Sequence, residues 1–130
     1  MSAWMRIQGQ IFFDYYDTST DIEPKEAASA VAKACFTDMP WGSETSWNIE
    51  MHDQIMCRME GVLHSALRLT LNNNVRDMEE ADVPAVIEYI KRIRNVLPTA
   101  FVSGQVTLYT RNKTHVILIG TDNPVQIVMA

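Results

Sequence analysis

The chain has 130 residues, 47% of them hydrophobic and 21% charged, with a formal net charge of -5. This composition excludes a disordered tail, a collagen-like chain and a disulfide scaffold, and the length suits one domain that buries roughly two-thirds of its unfolded surface. The charge is uneven, -6 over residues 1–60 and +1 over residues 61–130, so a basic protein partner for the acidic half is expected; direct nucleic-acid binding is not, because neither an excess of bases nor a recognition motif is present.

From Met5 to Tyr16 the residues are rich in β-branched and aromatic types. Ile7, Gly9, Ile11 and Phe13 fall on one face and Gln8, Gln10, Phe12 and Asp14 on the other, which predicts a long first strand. Asp17 to Asp21 is a polar loop, and Asp21-Ile22-Glu23-Pro24 offers an N-cap carboxylate and a first-turn proline. A helix over 24–39 follows, with Ala28, Val31, Ala32, Cys35 and Met39 at spacings of three and four, stopped by Pro40. Ser46 to Met51 alternates weakly as a second strand, with His52-Asp53-Gln54 as the turn after it.

A long β pattern returns from Met56 to Asn72, with Leu63, Leu67, Leu69 and Leu71 on the face expected to be buried, and Asn72-Asn73-Asn74 ending it. Asp82-Val83-Pro84 repeats the capping arrangement, and Val86, Ile90, Ile93 and Leu97 form the apolar stripe of a second helix over 83–97. Three strands close the chain, Ala100–Thr110, Thr114–Gly120 and Val125–Met129. The order predicts a single α+β domain over 1–130, a ferredoxin-like split βαβ sandwich with an added C-terminal β-hairpin that extends the sheet or covers an edge. A curved antiparallel sheet wrapping one long helix is the alternative.

The longest apolar run, Val116 to Ile119, stops at Gly120, far short of the about 20 residues of a membrane span, and the first residues lack a signal pattern. A cytoplasmic protein without membrane contact is therefore expected. Cys35 and Cys57 read as small apolar side chains rather than a bridge.

The histidines His52, His64 and His115 and the two cysteines do not fall at the paired spacings of zinc ligands, so no metal site is expected. No orienting third group marks a Cys-His nucleophile, and no catalytic residue is assigned. The five glycines are isolated, which excludes a phosphate loop, and no cofactor is expected. The acidic run Asp77 to Asp82 reads as charge at a helix N-terminus, and Lys91, Arg92 and Arg94 as cations at the C-terminus of the same helix. Asp14, Tyr15, Tyr16 and Asp17 read as a protein-binding corner, with acids to steer a basic partner and tyrosines to supply contact area. Trp41 and Trp47, in a methionine-rich stretch, join it as candidate partner-binding residues.

The pattern Ser65-Ala66-Leu67-Arg68-Leu69-Thr70-Leu71, then Val75-Arg76-Asp77, then Tyr89-Ile90-Lys91-Arg92-Ile93, resembles small α+β accessory proteins encoded by phages and mobile elements. The resemblance implies a protein that binds and modulates a larger host or defence component, and assigns no site residue. The expected function is thus a non-enzymatic protein-binding module, a small acidic inhibitor or regulator of a larger protein or protein–nucleic-acid complex. A homo-oligomeric scaffold pairing through sheet edges, with a homodimer as its simplest form, is the second reading; a small enzyme with a pocket between helix and sheet is the third.

Overall fold

The computed structural model describes residues 3–17, 24–40, 45–46, 49–59, 62–97, 101–120 and 126–129, with side chains described for 3–14, 26, 28–40, 67–97 and 101–120. The elements are β1 (Trp4–Asp17), α1 (Pro24–Cys35), β2 (Thr45–Ser46), β3 (Ile49–Met59), β4 (Val62–Arg76), a 3-10 turn (Glu80–Asp82), α2 (Val83–Arg94), β5 (Phe101–Tyr109), β6 (Thr114–Ile119) and β7 (Gln126–Met129). The architecture is α+β: two helices and an antiparallel sheet. In that sheet β4, β1, β5, β6 and β7 lie side by side in this order, and β2 and β3 both pair with β4.

β1 is the central strand. It pairs with β4 from Trp4 opposite Arg76 to Asp17 opposite Leu63, and with β5 from Arg6 opposite Tyr109 to Asp14 opposite Phe101. Its alternation therefore decides which face of the sheet is buried: Met5, Ile7, Ile11 and Phe13 are inaccessible, and the partners that share their face include Leu67, Leu69, Leu71, Val102 and Leu108. Val31 and Cys35 of α1 and Val86, Ile90 and Ile93 of α2 belong to the same core. Both helices thus cover one face of the sheet. Gly9 and Gly104 mark a close approach of β1 and β5, where a Cβ on Gly104 would lie 2.2 Å from the Gln10 carbonyl oxygen and the backbone φ is +149°.

Hydrogen bonds tie the helices to their neighbours. The Tyr89 hydroxyl donates to the carbonyl of Cys35, an acceptor that the end of α1 leaves without a helical partner. Arg92 donates to the Asp38 carbonyl at 2.8 Å, and Arg94 to the Gly120 carbonyl at 2.8 and 3.2 Å. Both lie in the last turn of α2, as expected from the sequence, and from there they also serve carbonyls outside their own helix.

Several boundaries differ from expectation. α1 stops at Cys35 instead of 39, because the Thr37 hydroxyl donates to the Lys33 carbonyl at 2.6 Å and Asp38 adopts a left-handed φ of 46°. The expected turn at His52 to Gln54 lies inside β3, and the single strand expected over 56–72 is split between β3 and β4 of a hairpin. The asparagines do not end β4, which runs to Arg76 with Asn73 inside the sheet, and the chain turns at Asp77, φ 63°. α2 ends at Arg94, and the Asp82 carboxylate accepts from the Glu79 N–H at 2.8 Å, closing the 3-10 turn instead of capping α2. β6 and β7 extend the sheet. The proposed cap at Asp21 and the turn at Thr121 to Pro124 lie outside the described residues.

Candidate functional site

Alternation along β6 places His115 on the same face as Ile117 and Ile119, so its ring is buried and needs a polar partner. The 3-10 turn supplies one. His115 Nε2 lies 2.7 Å from Glu80 Oε2 and 3.0 Å from Oε1. An ionised carboxylate only accepts, so Nε2 carries the hydrogen. The Thr110 hydroxyl, just past β5, donates to Glu80 Oε1. Thr110 Oγ1 in turn accepts from the Lys113 N–H at 3.2 Å, while the Thr110 N–H bonds the Lys113 carbonyl at 2.9 Å, which fixes the turn between β5 and β6. The Thr110 hydrogen bond, then the hydrogen bond and charge of His115 and the charge of Lys113, hold the Glu80 carboxyl below its ordinary value although desolvation opposes them. Glu80 is therefore an ionised, oriented carboxylate at neutral pH.

It opens on a polar cleft of about 350 Å³ lined by Glu79, Glu80, Ala81, Thr110, Arg111 and Asn112. The Glu80 side chain is 35% exposed against 7% for His115, so the carboxylate faces the cleft and the imidazole backs it. Carboxylates on one wall and a guanidinium and an amide on the other suit a small polar molecule bearing both charges.

The sequence reading missed this site. It assigned Glu80 to the helix dipole and ruled His115 out as a zinc ligand; the alternation His115, Ile117, Ile119 was the available signal, because a histidine in phase with core residues requires a buried partner. The predicted corner lies elsewhere. Asp14 is half-buried in β1 opposite Phe101, at the start of β5, whereas Thr110 follows its end. Tyr15, Tyr16 and Asp17 continue β1 opposite Ser65, His64 and Leu63. Their side chains, and Trp41 and Trp47, lie outside the described residues. Among the described residues no three His, Cys, Asp or Glu side chains group as metal ligands, and no helix is long and apolar enough to cross a membrane.

No family model matches the chain, and no curated protein matches it. Among solved structures it is similar to a phage SAM lyase in complex with S-methyl-5'-thioadenosine, at 12% identity over 96% of this chain and 90% of that one, with a TM-score of 0.38. Like the accessory proteins that residues 65–93 resemble, this neighbour comes from a phage. It is an enzyme, and the expectation of a non-enzymatic inhibitor or scaffold is corrected accordingly. The likeness transfers no residue role.

Proposed function

We propose that the chain is a small-molecule enzyme in which Glu80, ionised at neutral pH, holds the cation of the substrate in the cleft. The observation that carries this reading is the carboxylate of Glu80 held between His115 and Thr110 at the mouth of a polar cavity. His115 is a positioning residue. It orients the carboxylate and, through its Nε2–H 2.7 Å from Oε2, helps to keep it ionised. The substrate is a small zwitterion, its cation toward Glu79 and Glu80 and its anion toward Arg111.

The frame for this site is a single α+β domain of the ferredoxin-like, split βαβ kind. The neighbours β3, β4, β1 and β5, with α1 between β1 and β3 and α2 between β4 and β5, support it, and β6 and β7 are the added hairpin.

The test is a ligand screen by ¹⁵N chemical shift with a panel of free α-amino acids and their esters, which lack the carboxylate charge. Saturable shifts at Thr110, Arg111 and Asn112 with the zwitterions, weaker with the esters and lost in Glu80→Gln, are expected. No shifts with any member, or shifts that survive Glu80→Gln, would reject the reading.

A further inference from the structure

We propose that the open face of the sheet, away from both helices, binds single-stranded nucleic acid, independently of the Glu80 cleft. Five of the six large apolar side chains that the described residues expose lie on this face; Phe36 is the sixth. Four of them are Trp4, Phe12, Phe101 and Tyr109, exposed by 44, 37, 55 and 42%, and the fifth is Leu118. A soluble chain rarely leaves so much aromatic surface together without a partner for it.

The strand register interleaves these rings with cations. Trp4 lies opposite Arg76, Arg6 opposite Tyr109, and Phe12 opposite Arg68. Between the rings is a trough of about 450 Å³ where Gln8, Gln10 and Gln105 present amides. By register, Arg6, Arg68 and Arg76 share this surface with two acids, Asp14 and Glu50. The whole-chain charge of -5 argues against nucleic acid, but folding sorts that charge, and the register gives this face three arginines against two acids. Aromatic faces stack bases, guanidinium groups hold phosphates, and amides read base edges; an open sheet face of this composition suits splayed bases rather than a duplex. A second copy of the chain is the poorer occupant, because two such faces in contact would set the arginines of one against those of the other.

The test is fluorescence anisotropy with fluorescein-labelled dT12 and with a duplex of equal length, over 50 to 200 mM salt. Binding to dT12 in preference to the duplex is expected, with a slope of log K on log salt of about -1.4, as two phosphate contacts on a single strand, at Arg6 and Arg68, give. Phe12→Ala and Tyr109→Ala should each weaken binding by about 5- to 150-fold. The double change Arg6→Ser with Arg68→Ser should flatten the slope by about 1.4. Glu80→Gln should leave dT12 binding unchanged, which separates this proposal from the cleft. Should a variant fail to fold, ¹⁵N shifts of the unaltered protein decide: dT12 must perturb β1, β4 and β5. Absence of binding at 50 mM salt, equal affinity for the duplex, shifts confined to the cleft or helices, or a dimer in sedimentation that Phe12→Asp dissolves would each overturn it.

Discussion

Glu80 has its pKa lowered from 4.5 in the folded protein, chiefly by the Thr110 hydroxyl and also by His115, so linkage fixes the sign of its effect. The stability it adds is fully present above about 4.5, the unfolded value, and is lost as pH falls through the lower folded value. The melting temperature of the unaltered protein should therefore fall more steeply below pH 4.5 than that of Glu80→Gln, measured side by side by circular dichroism. Parallel curves would mean that the carboxylate has no net interaction with Thr110 and His115. The same principle of a polar group satisfied from a distance holds at Tyr89, whose ionisation is pushed up by burial first and by Cys35 second, with Arg92 opposing. Burial likewise pushes the Cys35 thiol up to about 12, so it is an inert core side chain, as its apolar spacing in the sequence suggested. Contacts of this kind were not legible in the sequence. Glu80 and His115 are 35 positions apart, and no local pattern links them.

Elements were legible where one period ran between clear punctuation. α2 is the clearest case: Val86, Ile90 and Ile93 recur at helical spacing after Pro84, and all three are buried. Ile93→Ala should cost about 2 to 5 kcal/mol in urea unfolding, through lost burial and the cavity left behind; a loss under half a kilocalorie would place Ile93 outside the core. Between 40 and 76 the strand bounds were not legible, although Leu67, Leu69 and Leu71 lie on the buried face as expected. There β3 and β4 form one hairpin, and a bulge between Ile55 and Cys57 shifts the phase of β3 against β4, so no single alternation describes both arms and the sequence offers little but Gly61 to punctuate them. The asparagines misled for a related reason: residues that favour turns when isolated are held extended in β4 by pairing with β1. Gly104 is an element-scale constraint of a different sort. Gly104→Ala would combine a strained φ with a Cβ driven against the backbone of β1, and should destabilise by more than about 3 kcal/mol, beyond what an exposed strand glycine loses. A cost below 1 kcal/mol would show that the two strands separate easily at this point.

At the scale of the molecule, the alternation of strands and helices was enough to read the α+β class. It was not enough to locate the cleft, which forms where the turn before α2 meets the turn after β5, a meeting that depends on how the helix lies across the sheet. β1 holds the assembly together, because both of its edges are paired, with β4 on one side and β5 on the other. A chain starting at residue 18 should therefore show no cooperative melting transition, and a synthetic peptide of residues 1–17 added in trans should restore it. A cooperative transition without the peptide would mean that β4 and β5 can pair directly.

The central place of β1 bears on events at the ribosome. This strand leaves the exit tunnel ahead of both its partners, and one of its edges has no mate until the segment ending at Tyr109 has followed it. At typical elongation rates that interval is roughly 5 to 20 s. For that time the nascent chain carries an extended apolar segment with an unoccupied row of amides and carbonyls, the form that chaperones of emerging polypeptides bind and that neighbouring chains on a polysome can capture. Synonymous codons that slow translation between residues 18 and 100 should lengthen this window and raise the insoluble fraction without changing a single amino acid.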